Sequence, residues 1–491
     1  MANNMGKVGV EAIEPQVERK HEHMDNTSNA SRLLGLTERV LLERLRINEW
    51  GTVTSALLVD STQELNQDDL RKALGLLPKR YPLLRMRIKE TTDGVYFEEM
   101  EDHHKVDFEL LKHTTADNWI QGFEAELNGY EFDITRGPLW RARLLKETFR
   151  EGKFKNAVVF TFLHVICDAL SIFALQKQLL EFINSLSSGQ EVEAKSLPIR
   201  PPLESLVDAV HPDRKEKILF SSFFKLQRTK AFLVKPKNLF LSIYPPVAKK
   251  DPSATKKTCL LARSLSEEET KLLIKSCKEN KCTVHGAITA STHLAIARIL
   301  HRGKHDLKTA VPLESSYTIS LRRECEPKVS SEEFGAYVTA SGLTIAVPPV
   351  ESNDKQGFWE FARACTRDVH AQLDSGKYRN LTKLYHCVDV RSYCKMSNID
   401  FNEGRRVQIL NITNCGALQT EQAEDDPRYK FAGSYFGLQG TKTSHLFGNN
   451  IMTVDGRLYW AVEYFPHVTT KTQAEEVFDS TLEVIKQACV R

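Results

Sequence analysis

Residues Ala157 to Leu163 form a continuous apolar run rich in β-branched and aromatic side chains, and the run ends on His164. Such a run reads as a strand buried on both faces. From Ala169 to Asn184 the apolar residues switch to helical spacing, with leucines and phenylalanines on one face. The junction between the two is His164-Val165-Ile166-Cys167-Asp168. Strand ends are where α/β proteins expose reactive groups. The stretch from Ala157 to Leu175 has a membrane-like length, but His164 and Asp168 lie near its middle. A central Asp costs about 2.5–3.5 kcal/mol on insertion scales, so a buried strand and helix is the expectation rather than a transmembrane segment.

A chain of 491 residues is too long for one compact core, and two lobes are the natural division. Lys plus Arg is 67 and Asp plus Glu is 64. That balance gives no argument for a nucleic-acid partner. The ten cysteines form no CxxC pair, which disfavours zinc and dithiol redox chemistry. Cysteines scattered through apolar patterns suit buried free thiols in a reducing cytosol. The polar N-terminus has no apolar signal region, so a cytoplasmic protein is expected.

Residues 1–30 lack periodicity and read as a disordered tail. The first lobe is assigned to 31–196. It begins with a helix at LTERVLLERLRI that Thr37 is placed to cap, then a strand at TSALLVDS and a helix from Leu65 to Leu77. Residues 197–257 read as a crossover. Between His211 and Lys257 twelve Lys/Arg stand against three Asp/Glu, with phenylalanines interleaved. An amphipathic connection, a weak peripheral membrane contact and an electrostatic guide for an anionic donor all fit this composition. The second lobe is assigned to 258–491. Ser266 caps a helix rich in glutamate at its start, and a buried helix follows from Thr283 to Leu300. Strands are expected at 308–313, 335–347, 406–413 and 451–465, and helices at Phe358 to Leu373 and Thr472 to Cys489.

The spacing of His164 and Asp168 leaves two readings open: a satisfied core histidine, or a general base. Neutral imidazole suits removal of a hydroxyl proton near neutral pH as the oxygen attacks a thioester, and the same ring can return that proton to the leaving thiolate. Asp168 can cap the following helix and pair with a basic residue elsewhere. No G-x-S-x-G elbow, phosphate loop, dinucleotide fingerprint or H-E-x-x-H motif competes with this reading.

HVICD resembles the HxxxD motif of the chloramphenicol-acetyltransferase-like superfamily. Further segments resemble that superfamily in order. They are Lys79-Arg80-Tyr81-Pro82-Leu83-Leu84-Arg85, then Phe132-Asp133-Ile134 with Gly137-Pro138-Leu139 and Arg141. Thr283-Val284-His285-Gly286-Ala287 and Asp455-Gly456-Arg457-Leu458 follow. The resemblance implies an α/β (α+β) fold of two lobes, each a mixed sheet with flanking helices, around a central tunnel with His164 at its centre. It implies no metal or bound cofactor, with acyl-CoA (acetyl-CoA) as co-substrate. Asp168 is expected to pair with Arg322 or Arg323. Thr413, Asn414 and Gly437 are assigned to substrate binding, with Thr413 or Asn414 as a hydrogen-bond donor to the oxyanion. Ala169 replaces the glycine usual after the Asp in BAHD acyltransferases. Tyr435-Phe436-Gly437-Leu438-Gln439 stands for their D-F-G-W-G without the Asp and Trp. These departures favour the alcohol acetyltransferase branch. The expected activity is an acyl-CoA-dependent O-acyltransferase acting as a monomer on an apolar alcohol such as a terpenoid. The alternatives are a condensation-type ester- or amide-forming enzyme using a carrier-protein thioester, and a non-catalytic ligand-binding relative.

Overall fold

The protein is described from a computed structural model covering residues 31–47, 51–102, 106–129, 131–233, 238–251, 253, 256–303, 310–349, 355–395, 408–420, 427–440 and 445–489. The expected tail at 1–30, and parts of the strands expected at 308–313 and 406–413, lie outside these residues.

Two large mixed sheets carry the molecule. The first is ordered β13-β2-β8-β6-β5 and holds β2 (Thr52–Ser61), β5 (Phe108–Thr115), β6 (Trp140–Lys146), β8 (Lys153–Leu163) and β13 (Tyr429–Leu438), with the short β7 (Thr148–Arg150) beside β8. The second is ordered β11-β10-β12-β14-β15-β9. It holds β9 (Cys259–Leu265), β10 (Val311–Ser320), β11 (Val338–Val347), β12 (Leu410–Leu418), β14 (Phe447–Val454) and β15 (Arg457–Tyr464). A small sheet of β1 (Ser31–Leu33), β4 (Val95–Glu99) and β3 (Met86–Glu90) flanks the first lobe. The two-lobed α/β architecture is therefore as expected.

Helices α1 (Leu36–Arg46), α2 (Gln67–Arg80), α3 (Trp119–Gly129) and α4 (Ala169–Ser187) belong to the first half of the chain. The crossover holds α5 (Leu203–Leu206), α6 (Arg214–Leu233), α7 (Leu239–Ile243) and α8 (Val247–Lys250). Helices α9 (Glu267–Glu279), α10 (Val284–Gly303), α11 (Lys355–Asp374), α12 (Asn380–Tyr385) and α13 (Lys471–Cys489) follow. Ser266 caps α9 with a full capping box, as its sequence implied. Thr37 does not cap α1. Gly35 stands at that position, and both Thr37 N–H (2.7 Å) and its hydroxyl (2.5 Å) donate to Glu204 Oε1. The expected strand at 451–465 is a hairpin, β14 and β15, turning at Asp455-Gly456, where both residues have positive φ.

The burial of β8 follows from its sequence. Residues 156–163 are buried without interruption, and antiparallel β2 and β6 cover its two edges. Full burial of each aromatic side chain here is worth about 1.5–3 kcal/mol. Phe162 packs between Trp140, Phe160 and Phe334. This fixes the end of the strand and hence the start of His164.

One strand crosses between the halves. β13 comes from the second half of the sequence but pairs antiparallel with β2 in the first sheet, Leu438 opposite Val53. Its outer neighbours form a core shared by both lobes. Trp119 of α3 stacks on Tyr435 at 4.8 Å, and Tyr435 meets Tyr459 of β15 edge-on.

Candidate functional site

The chain leaves β8 at Leu163 and makes one tight turn, His164–Ile166, before α4. His164 N–H donates to Gly51 O at 2.8 Å, which holds the turn against the start of β2. The ring Nδ1 lies 2.8 Å from Cys167 O. A carbonyl only accepts, so Nδ1 carries the proton and Nε2 the lone pair. Burial holds the imidazole below its ordinary pKa, against the opposing pull of the Cys167 carbonyl. The neutral, basic form of the ring is thereby favoured.

Asp168 points away from this ring. Its Oδ1 accepts from Ser171 N–H at 2.9 Å and so caps α4. Arg322 Nη2 bridges both of its oxygens at 2.8 and 3.0 Å. Tyr337 N–H donates to Oδ2 at 3.2 Å. Arg322 also donates through Nη1 to Ser330 O and Glu333 O, at 2.7 and 2.8 Å. Both partners are almost fully buried. The pair ties the end of β8 to the turn that follows β10 in the other lobe. Arg323, the other candidate, is exposed.

His164 lines a cavity of about 830 Å3 between the lobes, within the range of small-molecule sites. Thr413 lines it too, with Asn411 beside it and Thr318 across on β10. The Thr413 hydroxyl donates to Thr318 Oγ1 at 3.0 Å. Asn414, one residue on, is absent from the wall. Its Oδ1 accepts from Gly416 N–H at 2.9 Å and closes a local turn. Strand alternation explains the difference: successive side chains on β12 point to opposite faces. Gly437 is not a wall residue either. A side chain there would meet Glu463 Oε1 at 3.0 Å and Phe123 at 3.2 Å, so its place is a close approach between β13, α3 and β15.

Glu463 is the residue that sequence reasoning missed. It lines the same cavity from β15 and is 2% exposed. Its Oε1 accepts from Leu438 N–H at 2.5 Å and Asn450 Nδ2 at 2.6 Å. The signal was present: one acid within the apolar strand Leu458-Tyr459-Trp460-Ala461-Val462-Glu463-Tyr464. Burial pushes its carboxyl up to about 7, against those two hydrogen bonds. A folded pKa above the unfolded value means the folded state holds the proton more tightly. Stability contributed by the protonated form is present below about 4.5 and lost as pH rises to about 7. The loss is on the order of 3 kcal/mol. Glu463→Gln keeps the acceptor and removes the titration. Its urea midpoint is expected to exceed the wild-type midpoint at pH 8 by more than it does at pH 4.5. Equal differences at both values refute the assignment.

Comparison with known proteins gives a consistent family. The model of the Condensation domain matches residues 54–313, and that of the phthiocerol/phthiodiolone dimycocerosyl transferase C-terminus matches 259–422. No curated protein matches the sequence. Among solved structures, the chain is similar to trichothecene 15-O-acetyltransferase from Fusarium sporotrichioides, at 11% identity and TM-score 0.67 over 95% of this chain and 96% of that one. It is similar to the epimerization domain from the third module of tyrocidine synthetase B, at 12% identity and TM-score 0.62 over 96% and 98%. It also resembles polyketide synthase associated protein 5 from Mycobacterium tuberculosis, at 13% identity and TM-score 0.62 over 92% and 97%. At such identities the likeness is one of fold.

Proposed function

The chain belongs to the Condensation domain family, and on that premise we propose that it transfers an acyl group from a thioester to an acceptor nucleophile, with His164 as general base. The observation that carries this is the clamped ring: Nδ1–H is committed to Cys167 O while the ring lines a cavity of about 830 Å3 between the lobes. The acceptor O–H or N–H gives its proton to Nε2 as its heavy atom bonds to the thioester carbonyl carbon. The tetrahedral oxyanion then collapses, the C–S bond breaks, and the proton passes to the departing sulfur. Thr413 is a cavity hydroxyl that could donate to the oxyanion by turning from Thr318.

Family membership favours the condensation-type reading, with a carrier-protein pantetheine thioester as donor, over the acyl-CoA:alcohol acetyltransferase read from sequence. The second reading keeps one support, the likeness to the trichothecene acetyltransferase. Thiol release separates them. The purified chain is mixed with a panel of alcohols and amines and either an acylated carrier protein or acetyl-CoA. Acceptor-dependent release with the carrier and little with acetyl-CoA supports the first reading. The reverse supports the second, and release with neither donor refutes the activity.

A further inference from the structure

Eight large apolar side chains stand exposed among the described residues, and four of them fall in one short stretch of α6. Ile218, Leu219, Phe223 and Leu226 are between 51% and 65% exposed. Leu219, Phe223 and Leu226 have the i, i+4, i+7 spacing that draws a single stripe along a helix. Beside this stripe α6 is anchored to the rest of the protein. Ser221 donates to Cys387 O at 3.3 Å, Glu216 holds Lys383 at 2.6 Å, and Phe224 packs on Tyr393. A helix pinned along one side does not need an exposed apolar stripe for its own fold, and such clusters mark contact surfaces.

Charge identifies the contact. Arg214, Lys215, Lys217 and Lys225 are exposed on the same helix, with Lys215 next to the stripe, and Glu216, the one acid between Arg214 and Leu226, is taken by Lys383. A second copy of the same helix would oppose cations to cations. An anionic bilayer offers an apolar interior beneath a negative surface, which suits both features. Among the described residues no helix is long and apolar enough to cross a membrane, so this contact lies along the surface. Position adds the functional link: Leu219, Phe220 and Phe223 line the cavity that holds His164.

We propose that α6 seats the protein on an anionic lipid surface, with the apolar stripe among the acyl chains and the cavity opening onto the bilayer. The readout is lipid binding and is independent of the chemistry at His164. The full chain is sedimented with vesicles of phosphatidylcholine alone or with roughly one third phosphatidylserine. Wild type is expected to pellet with the anionic vesicles and stay in solution with the neutral ones. Ile218→Glu/Leu226→Glu, which leaves every cavity-lining residue intact, is expected to lower partition by about tenfold or more. Lys215→Gln/Lys217→Gln should weaken binding and its salt sensitivity. Unchanged melting temperatures exclude a folding defect. Indifference to phosphatidylserine, or pelleting of the glutamate variant like wild type, overturns the proposal. So does a self-association, or an acidic carrier-protein complex, that the glutamate variant abolishes while no vesicle binding is seen.

Discussion

Arg322→Ala is expected to destabilise the protein by about 3–5 kcal/mol, read as a lower urea midpoint at neutral pH. The reason is the carboxylate left behind. Asp168 is buried between α4 and the turn after β10, and Arg322 is the cation that meets both of its oxygens. Without it, Ser171 and Tyr337 still donate hydrogen bonds, but the charge has no partner in a water-poor site. Two backbone carbonyls, of Ser330 and Glu333, also lose their donor. Asp168→Asn is expected to be milder, since Asn caps helices well and its one carbonyl oxygen can keep the bond from Ser171 N–H, while the bond from Tyr337 N–H is lost. Arg322 would then stay buried with its carbonyl partners. A double-mutant cycle over the two positions should return a coupling of about 0.5–3 kcal/mol. A cycle that sums to zero, with Arg322→Ala as stable as wild type, removes the pair as the anchor between lobes.

The same pair shows how far the sequence reaches. His164 at the end of a buried strand and Asp168 at the start of a helix were legible because both rest on local periodicity. That Arg322 rather than Arg323 meets Asp168 was not. The choice between neighbours depends on which way the turn after β10 faces, and that is set by its packing. β13 was missed for a similar reason. Its sequence, YKFAGSYFGL, carries two glycines and a register shift between Phe431 and Gly433. Its pairing partner, β2, lies several hundred residues earlier in the chain. Alternation alone does not reveal such a non-local pairing. Thr413 and Asn414 were equal candidates until the pairing of β12 with β10 and β14 fixed which face looks into the cavity. Glu463 stood in plain view, but its direction depends on β15 lying opposite Gly448, where the absence of a side chain leaves room for the carboxylate.

His164→Ala is expected to lower kcat/KM for acyl transfer by about 10²–10⁴, the usual contribution of a positioned general base. Folding should change less than for Arg322→Ala, because the imidazole bonds a carbonyl of its own turn and balances no buried charge. The pH profile supplies a second reading of the same residue. Burial lowers the pKa of the ring, so the imidazole stays neutral to below its ordinary value of 6.5. Activity requires that neutral form. The acid limb of kcat/KM for wild type is therefore expected below pH 6.5, with rate lost as pH falls through the folded pKa. His164→Ala should lack this limb and leave a slow reaction driven by hydroxide or by the buried acid of the cavity, Glu463. That residual rate would rise rather than fall between pH 6 and pH 8, since Glu463 gains its charge near 7. Full activity in His164→Ala, with the acid limb retained, would assign the base to another residue and leave His164 as a packed core histidine.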